Sequence, residues 1–598
     1  VRSPLRCVPL ILLLLVTTSC EAPRPAPRPV RPAALVRLDQ VGWATGESKV
    51  AMLLAPADVT GAKATVVDER GRAVRTVAAG PGRGAWNAHY RAVHPLDLSD
   101  LRTPGTYRVR VDDRVRAESP PFRIDTAPAL YTPLLADAVR YFQAHRDGAG
   151  QVDGPWRRSP AHLADRAATV YETPADEDTS LESTGTTIDV EGGWYDAGDY
   201  LKFTHTTAYA LILLQLVRRD GPAPATLAAE IDHGLAWLTK MYRDGVLYTQ
   251  VGVAGNDHFL GDHDSWRLPQ DDDALVVQPG DRRYYQRYRP VFRAAEPGEP
   301  ISPNLAGRVA AAFALAAQLD AADDPGRAHT RLDTAARIFG QADISAGDLV
   351  TTVPHAFYPE RSWADDLALG AAELALAGKA LDDPRAAEWV DQAERWADAA
   401  AGGDDGLSVY DVTPLADAEL YRLAPAGELV DDLRGRLNGA VEAAAADPMG
   451  AASGSGGADY AARQLGWAAT AALYRRMTGD DRYAAFATAQ RAVVLGANGW
   501  GMSLVIGAGD AYPRCPHDQI ATLTRTPMTG AVVNGPNTAE RVESLELAQA
   551  RTLCSAGAYT RFDRPDAQYL DDMRISATNE PSIDFTATGM LAFALAAG

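Results

Sequence analysis

Between residues 35 and 126 the apolar positions come in short runs. Ser48 to Ala55 is mostly apolar. Ala64-Thr65-Val66-Val67 and Ala73-Val74-Arg75-Thr76-Val77 flank a turn at Arg70-Gly71, and Thr106-Tyr107-Arg108-Val109-Arg110-Val111 alternates polar with apolar before Asp112-Asp113. Alternation with period two predicts strands that bury one face, and the Gly and Pro between runs predict turns. This part ends near Phe122-Arg123-Ile124 and reads as a small antiparallel β-sandwich. After Ala127 the period changes. Leu130 to Arg146, Thr206 to Arg219, Thr226 to Arg243, Asn304 to Leu319, Trp363 to Leu381, Asp459 to Met477 and Arg482 to Leu495 carry helical spacing. Between helices stand Asp323-Asp324-Pro325, Asp382-Asp383-Pro384 and Asp480-Asp481, where acids suit helix N-termini and proline suits a first turn. Repeated helix hairpins with hardly any strand signal predict a bundle, a solenoid or a closed ring over residues 127–598.

The first 34 residues belong to neither pattern. Arg2 and Arg6 precede an apolar run, Val8 to Val16, too short for an ordinary membrane span. Thr17-Thr18-Ser19-Cys20 follows. Residues 1–20 are therefore read as an export signal of lipoprotein type with Cys20 lipidated, and ordinary cleavage and release is the alternative. Residues 21–34 alternate Pro with Ala and Arg and read as an extended tether. Both readings put the protein outside the cytoplasm, extracellular or at the cell surface.

Composition narrows the partners. The chain has 598 residues, 46% hydrophobic, with a formal net charge of −20. It is long enough for more than one domain. Such an acidic balance argues against nucleic acid, whose phosphates call for a basic surface. Of four cysteines, Cys7 and Cys20 fall in the signal, leaving Cys515 and Cys554 as one candidate disulfide and making a structural zinc site improbable.

The chemistry concentrates in Gly192-Gly193-Trp194-Tyr195-Asp196-Ala197-Gly198-Asp199-Tyr200. Two carboxylates in a glycine-bracketed turn can grip one water from two sides, and aromatic rings beside them suit the apolar faces of a sugar. That points to glycosidic hydrolysis, which needs one carboxylate to activate water and a second carboxyl group to protonate the leaving oxygen. Glu580, in Thr578-Asn579-Glu580-Pro581-Ser582, is the candidate acid. Alone, Asp-Ala-Gly-Asp reads as a solvated turn or a calcium ligand, and Glu580 as a helix cap. The acid runs Asp176-Glu177-Asp178 and Asp271-Asp272-Asp273 read as solvated loops, with structural calcium as their alternative use.

Several ordered motifs together resemble the family 9 glycoside hydrolases, inverting cellulases built on an (α/α)6 barrel. Arg37-Leu38-Asp39-Gln40-Val41-Gly42-Trp43 resembles the start of the immunoglobulin-like module that precedes the barrel in one branch. Gly192 to Phe203 resembles the Asp-Ala-Gly-Asp signature. Asp262-His263-Asp264-Ser265-Trp266-Arg267-Leu268-Pro269, the segment from Gly501 to Pro516-His517, Gly535-Pro536-Asn537 and Asn579-Glu580 follow in family order. The resemblance implies an immunoglobulin-like β-sandwich over 35–126 and an (α/α)6 barrel over 127–598. It implies Asp199 as general base, Asp196 as its partner in holding the water, and Glu580 as general acid. His517 would bind sugar hydroxyls, and Trp194, Tyr195, His263 and Trp266 would line the cleft. The chain departs from the family where His-Arg usually follows Pro-His: Asp518 and Gln519 stand there, with Gln519 a neutral substitute for the arginine's sugar contact. Ser576 replaces a common tyrosine, and Gln270 a common acid.

The sequence thus predicts an exported, inverting β-1,4-glucanase with a poly- or oligosaccharide substrate and no required cofactor. An exo-acting glycosidase on short β-linked oligosaccharides, including amino sugars, is the first alternative. A surface glycan-binding lipoprotein without activity is the second.

Overall fold

The computed structural model describes residues 33–156, 158–174, 179–543 and 559–598. The signal, Cys20, most of the tether, Asp176-Glu177-Asp178 and Cys554 lie outside the described residues. Cys515 is disulfide-bonded.

The first domain is two packed sheets. One has Val50–Ala55 between Leu35–Arg37 and Ala92–Asp97. The other runs Trp43–Ala44, Phe122–Asp125, Gly105–Asp112, Lys63–Asp68, Ala73–Ala78, with Arg116–Glu118 paired to Gly105–Asp112. Pairing is antiparallel except where Trp43 lies parallel to Ile124 and where Ala33 forms a parallel bridge to Arg116. Tyr107, Val109 and Val111 turn inward while Arg108 and Arg110 stay in water, so the period-two alternation specifies which face is buried. Trp43 sits edge-on to Phe122 at 5.4 Å within this core.

The helical part is a double ring. Six inner helices contact one another in a closed cycle: Thr204–Asp220, Pro303–Asp320, Ala364–Ala380, Thr413–Leu423, Tyr460–Thr478 and Ile583–Ala597, the last returning to the first. Outer helices Ala127–Ala144, Leu227–Met241, Pro325–Phe339, Ala386–Ala400, Gly427–Ala446 and Ala484–Val494 pack around them. The inner helix Pro303–Asp320 is buried on almost every side and rich in alanine. The outer helix Pro325–Phe339 buries only a stripe of Ala328, Leu332, Ala335, Ile338 and Phe339. Helices apolar all round belong inside, and amphipathic ones outside. Small side chains let the inner helices close up: a Cβ on Gly307 would lie 2.4 Å from the Asp366 carbonyl oxygen. Asp324 caps Pro325–Phe339, accepting from Arg327 N–H at 3.0 Å.

Because inner and outer helices alternate along the chain, all inner helices run the same way. Their N-terminal ends share one face, and the loops entering them build it. A feature unforeseen in the helical pattern is a small mixed sheet on this side, with order Ser183–Ile188, Ala168–Tyr171, Val291–Arg293, Val246–Val251, Lys202–Phe203. Three of its strands have four residues or fewer, while Ser183–Ile188 is mostly exposed and Val246–Val251 mostly buried, so none shows an alternation; one pair, Ala168–Tyr171 with Val291–Arg293, is parallel.

The sandwich is seated firmly on the barrel. The Gln40 amide nitrogen donates to the Gly501 carbonyl at 3.2 Å, and its oxygen accepts from Ala511 N–H at 2.9 Å. Trp86 meets Trp500 edge-on at 5.2 Å and donates to the Phe562 carbonyl at 2.7 Å.

Candidate active site

Three chain segments meet at Gly198. Its N–H donates to Glu580 Oε1 at 3.1 Å across 382 positions of sequence. Its carbonyl accepts from Gln519 N–H at 2.8 Å. A Cβ here would fall 2.0 Å from the His517 carbonyl oxygen, so only glycine lets the turn, the 516–519 segment and the acid come together. The structure thereby brings Asp196, Asp199, His263, His517 and Glu580 to the face where the inner helices begin.

Asp199 is nearly buried. Its Oδ1 accepts from Leu201 N–H at 2.8 Å, and its Oδ2 is paired with His263 Nε2. Burial raises the carboxyl, but the His263 imidazolium, its hydrogen bond and the Leu201 N–H outweigh this, and the net lies below the ordinary range. Glu580 moves the other way. Burial lifts it, the nearby His517 side chain opposes, Asp199 adds to the rise, and the net is above the ordinary glutamate value. Two carboxyl groups in one site with opposed shifts are the condition for one acting as base and the other as acid.

Asp196 stands deeper, 2% exposed. Its Oδ1 accepts from the Thr206 hydroxyl and its Oδ2 from the Tyr358 hydroxyl at 2.7 Å. Burial and then the nearby Asp584 hold it well above the ordinary carboxyl range. Asp584, in the first turn of Ile583–Ala597, is itself pushed up to about 7 by burial foremost.

His517 donates from Nδ1 to the Met573 carbonyl at 2.7 Å, since a carbonyl can only accept. That fixes the tautomer with Nε2 unprotonated in the neutral ring. Trp266 is half-buried, edge-on to His517 at 5.1 Å. Both flank the acid–base pair.

Three expected cleft residues are placed elsewhere. Trp194 is fully buried, donating to Glu230 Oε1 at 2.7 Å and packed on Phe142. Tyr195 is fully buried, its hydroxyl on Asp147 Oδ1 at 2.8 Å. The turn aims Asp199 toward His263 and sends both rings into the interior. Gln519 is also buried, 2% exposed: its amide nitrogen donates to the Asp262 carbonyl at 2.9 Å and its oxygen accepts from Arg267 N–H at 3.2 Å. It splices two loops, and its amide is not offered to a sugar. Its neighbour Asp518 caps the helix Gln519–Thr524, accepting from Ala521 N–H at 2.7 Å, and meets His145 Nε2 at 3.1 Å.

The Asp271-Asp272-Asp273 run is only partly solvated. Asp272 accepts from Arg267 and meets His162 Nε2 at 3.2 Å, and Asp273 accepts from Leu163 N–H at 3.0 Å. Protein groups engage Asp272 and one oxygen of Asp273, and among the described residues no group of acids, histidines and cysteines is arranged to hold a metal ion.

Sequence reasoning missed the support beneath the turn. Lys202 is fully buried, donating to Asp147 at 2.8 Å, Asp165 at 3.0 Å and the Gly192 carbonyl at 2.9 Å. Arg289 joins the same carboxylates, and His162 meets Asp147 at 3.0 Å. Lys202 lies inside the signature stretch; its burial was the signal not visible there. Tyr358 has no motif around it that would single it out.

Comparison with known proteins places this geometry. Residues 131–593 match the family model described as glycosyl hydrolase family 9, and residues 31–116 match a cellulase N-terminal ig-like domain. Endoglucanase C of Cellulomonas fimi is 26% identical over 618 residues, covering 92% of this chain and 50% of that protein. A xyloglucan-specific endo-beta-1,4-glucanase of Bacteroides ovatus, BoGH9A, is 23% identical over 619 residues, covering 93% of each. The chain spans about half the length of several curated relatives it matches, 45% of Endoglucanase 15 of Arabidopsis thaliana among them. The crystal structure of a GH family 9 endoglucanase, J30, superposes with a TM-score of 0.70 at 23% identity over 93% of this chain and all of that one. That likeness carries the fold: an immunoglobulin-like module followed by a helical barrel.

Proposed function

Because the chain belongs to glycosyl hydrolase family 9, we propose that it is an exported endo-acting hydrolase of β-1,4-linked glucans that works with inversion. The observation that supports this most is the meeting at Gly198, where an acid with a raised pKa and a carboxylate with a lowered one share a single face. Asp199 takes a proton from water as that water attacks the anomeric carbon. Glu580 gives its proton to the departing glycosidic oxygen. Asp196 braces the water site from below, and His517 offers Nε2 to sugar hydroxyls. Trp266 presents an aromatic face beside it. The three carboxyl groups supply the chemistry without a required cofactor.

The same reading takes the protein out of the cytoplasm, with Cys20 as a lipid anchor and the Arg- and Pro-rich residues 21–34 as a spacer. Among the described residues no helix is long and apolar enough to cross a membrane.

Sugar release from a panel of β-1,4-glucans, xyloglucan and amino-sugar oligomers, with the first-formed anomer read by proton NMR, tests the activity. The α-anomer from β-linked glucan and its loss in Asp199→Ala are expected. Release confined to amino-sugar oligomers, or no release at all, would move the protein to one of the alternatives. The anchor predicts that Cys20→Ala shifts the protein from the membrane fraction to the medium; equal distribution of both forms would remove it.

A further inference from the structure

His263 belongs to the long loop between Val246–Val251 and the short helix Pro269–Ala274. Its ring is engaged at two places. One side packs on Phe357, with centroids 5.1 Å apart, and Nε2 is turned to Asp199 Oδ2. The imidazole is 44% exposed while the carboxylate it meets is 8% exposed, so the ring is the more solvent-facing member of the pair.

The base carboxylate is therefore held at both oxygens, by the Leu201 N–H at 2.8 Å on Oδ1 and by His263 on Oδ2. These two donors fix the plane of the group and still leave each oxygen a second lone pair, which is what a water-activating carboxylate requires. Leu201 N–H is backbone and cannot vary. Among the described residues, His263 is the side chain that both meets an Asp199 oxygen and contributes to holding its pKa down.

We propose that His263 is a positioning residue for the general base, an imidazolium that orients the Asp199 carboxylate and keeps it anionic, and not a sugar-stacking residue. This rests on the hydrolase reading above. The titratable groups that face the pair are Glu580 and His517 from the other segments of the site, Asp262 from the same loop and Asp196 from the same turn. Burial lowers the ring, but Asp199, then Glu580 and Asp262, more than compensate and hold it up at about 9. His517 reinforces the effect on Asp199.

The consequence is a division of labour. The base works only while ionised, so the acid side of the pH–rate profile follows Asp199. Removing the cation lets burial raise that carboxyl, and the acid limb moves to higher pH. A ring that only touched sugar would alter KM and leave the limb in place.

The test compares wild type with His263→Gln and His263→Ala on a soluble β-1,4-glucan across pH. The expected outcome is an upward shift of the acid limb of kcat/KM by about 1 pH unit or more, the size of effect an opposite charge within hydrogen-bond reach exerts on a carboxyl. The partner measurement needs no substrate: NMR titration of the His263 ring in the full protein. The ring should titrate near 9 in wild type and fall toward about 6.5 in Asp199→Asn. A raised KM with an unmoved limb, or a wild-type ring that titrates the same with and without the Asp199 charge, overturns the proposal. A wild-type protein that cleaves no glycan while His263 still responds to Asp199→Asn would sink the hydrolase reading and leave the ion pair standing.

Discussion

At the scale of single residues the site separates two carboxyl groups by environment. Glu580 is lifted, chiefly by burial, and Asp199 is drawn down by His263 against its own burial. Activity therefore needs pH above the base's pKa and below the acid's, giving a bell whose alkaline limb belongs to Glu580. Glu580→Gln should abolish turnover of glucan by 10²-fold or more, about the general-acid contribution. It should leave aryl glycosides with an acidic leaving phenol near wild-type rates, since such a group departs without a proton. Steady-state rates on the two substrate types check this, and full activity of the variant on glucan would dismiss Glu580 as the acid. What was legible at this scale was the backbone grammar. The glycines of 192–198 mark a turn, and acids on a turn mark chemistry. Side-chain direction was not legible. Trp194 and Tyr195 neighbour Asp196 in sequence yet point into the barrel, to Glu230 and Asp147, partners that lie 36 and 48 positions away. Tyr358 reaches Asp196 from 162 positions away, and no local pattern encodes such a contact.

At the scale of elements most of the barrel helices were readable from helical spacing sustained over several turns, while Thr413–Leu423 and Gly427–Ala446 were not singled out. The strands among them were not, Lys202–Phe203 being two residues long. The capping acids before Pro325 were readable for a related reason, since Asp before Pro satisfies the helix's free N–H groups. The cap that matters most to the site is at the other end of the chain. Ser582 stands two residues after Glu580 and caps Ile583–Ala597, its hydroxyl accepting from Phe585 N–H at 3.4 Å. The same hydroxyl donates to Asp584 Oδ1. Ser582→Ala should cost about 1 kcal/mol of stability, the usual worth of such a cap. It should also reduce turnover, because the first turn it steadies carries Asp584 and adjoins the acid. Denaturant midpoints with an unchanged m-value, read beside kcat, check it; an unaltered midpoint would show that the backbone alone holds that end.

At the scale of the whole molecule, several carboxyl groups are buried far from the cleft. Asp39, in the sandwich, and Glu373 and Asp417, on inner helices, are each pushed up to about 8, with burial the largest cause. A carboxyl whose folded pKa is raised keeps its proton in the native state after the unfolded chain has released it. The native state then binds more protons than the unfolded one, and stability falls as pH climbs from the ordinary carboxyl range toward 8. Glu360 opposes at the acid end. It is drawn down to about 2 by Arg308 and then His205 against burial, so its contribution is lost as pH falls below the ordinary glutamate value. Thermal stability should peak on the acid side of neutrality and decline between about pH 6 and pH 8. Calorimetric midpoints across pH measure this, and a flat profile would mean these carboxyls stay hydrated in the native ensemble.

The ring closes on Ile583–Ala597, which packs against Thr204–Asp220, the first inner helix. A chain growing from its N-terminus lays down the base early and has nothing to pair it with until this last stave is added. Until then the nascent molecule carries half a reaction: a water-activating carboxylate, a gap in the wall where the proton donor belongs, and apolar flanks of two inner helices facing water. If Asp199 and Glu580 act as proposed, catalytic competence arrives in one step, with the final turn of the wall, and a ribosome that stops short leaves an open and inert cup rather than a weak enzyme.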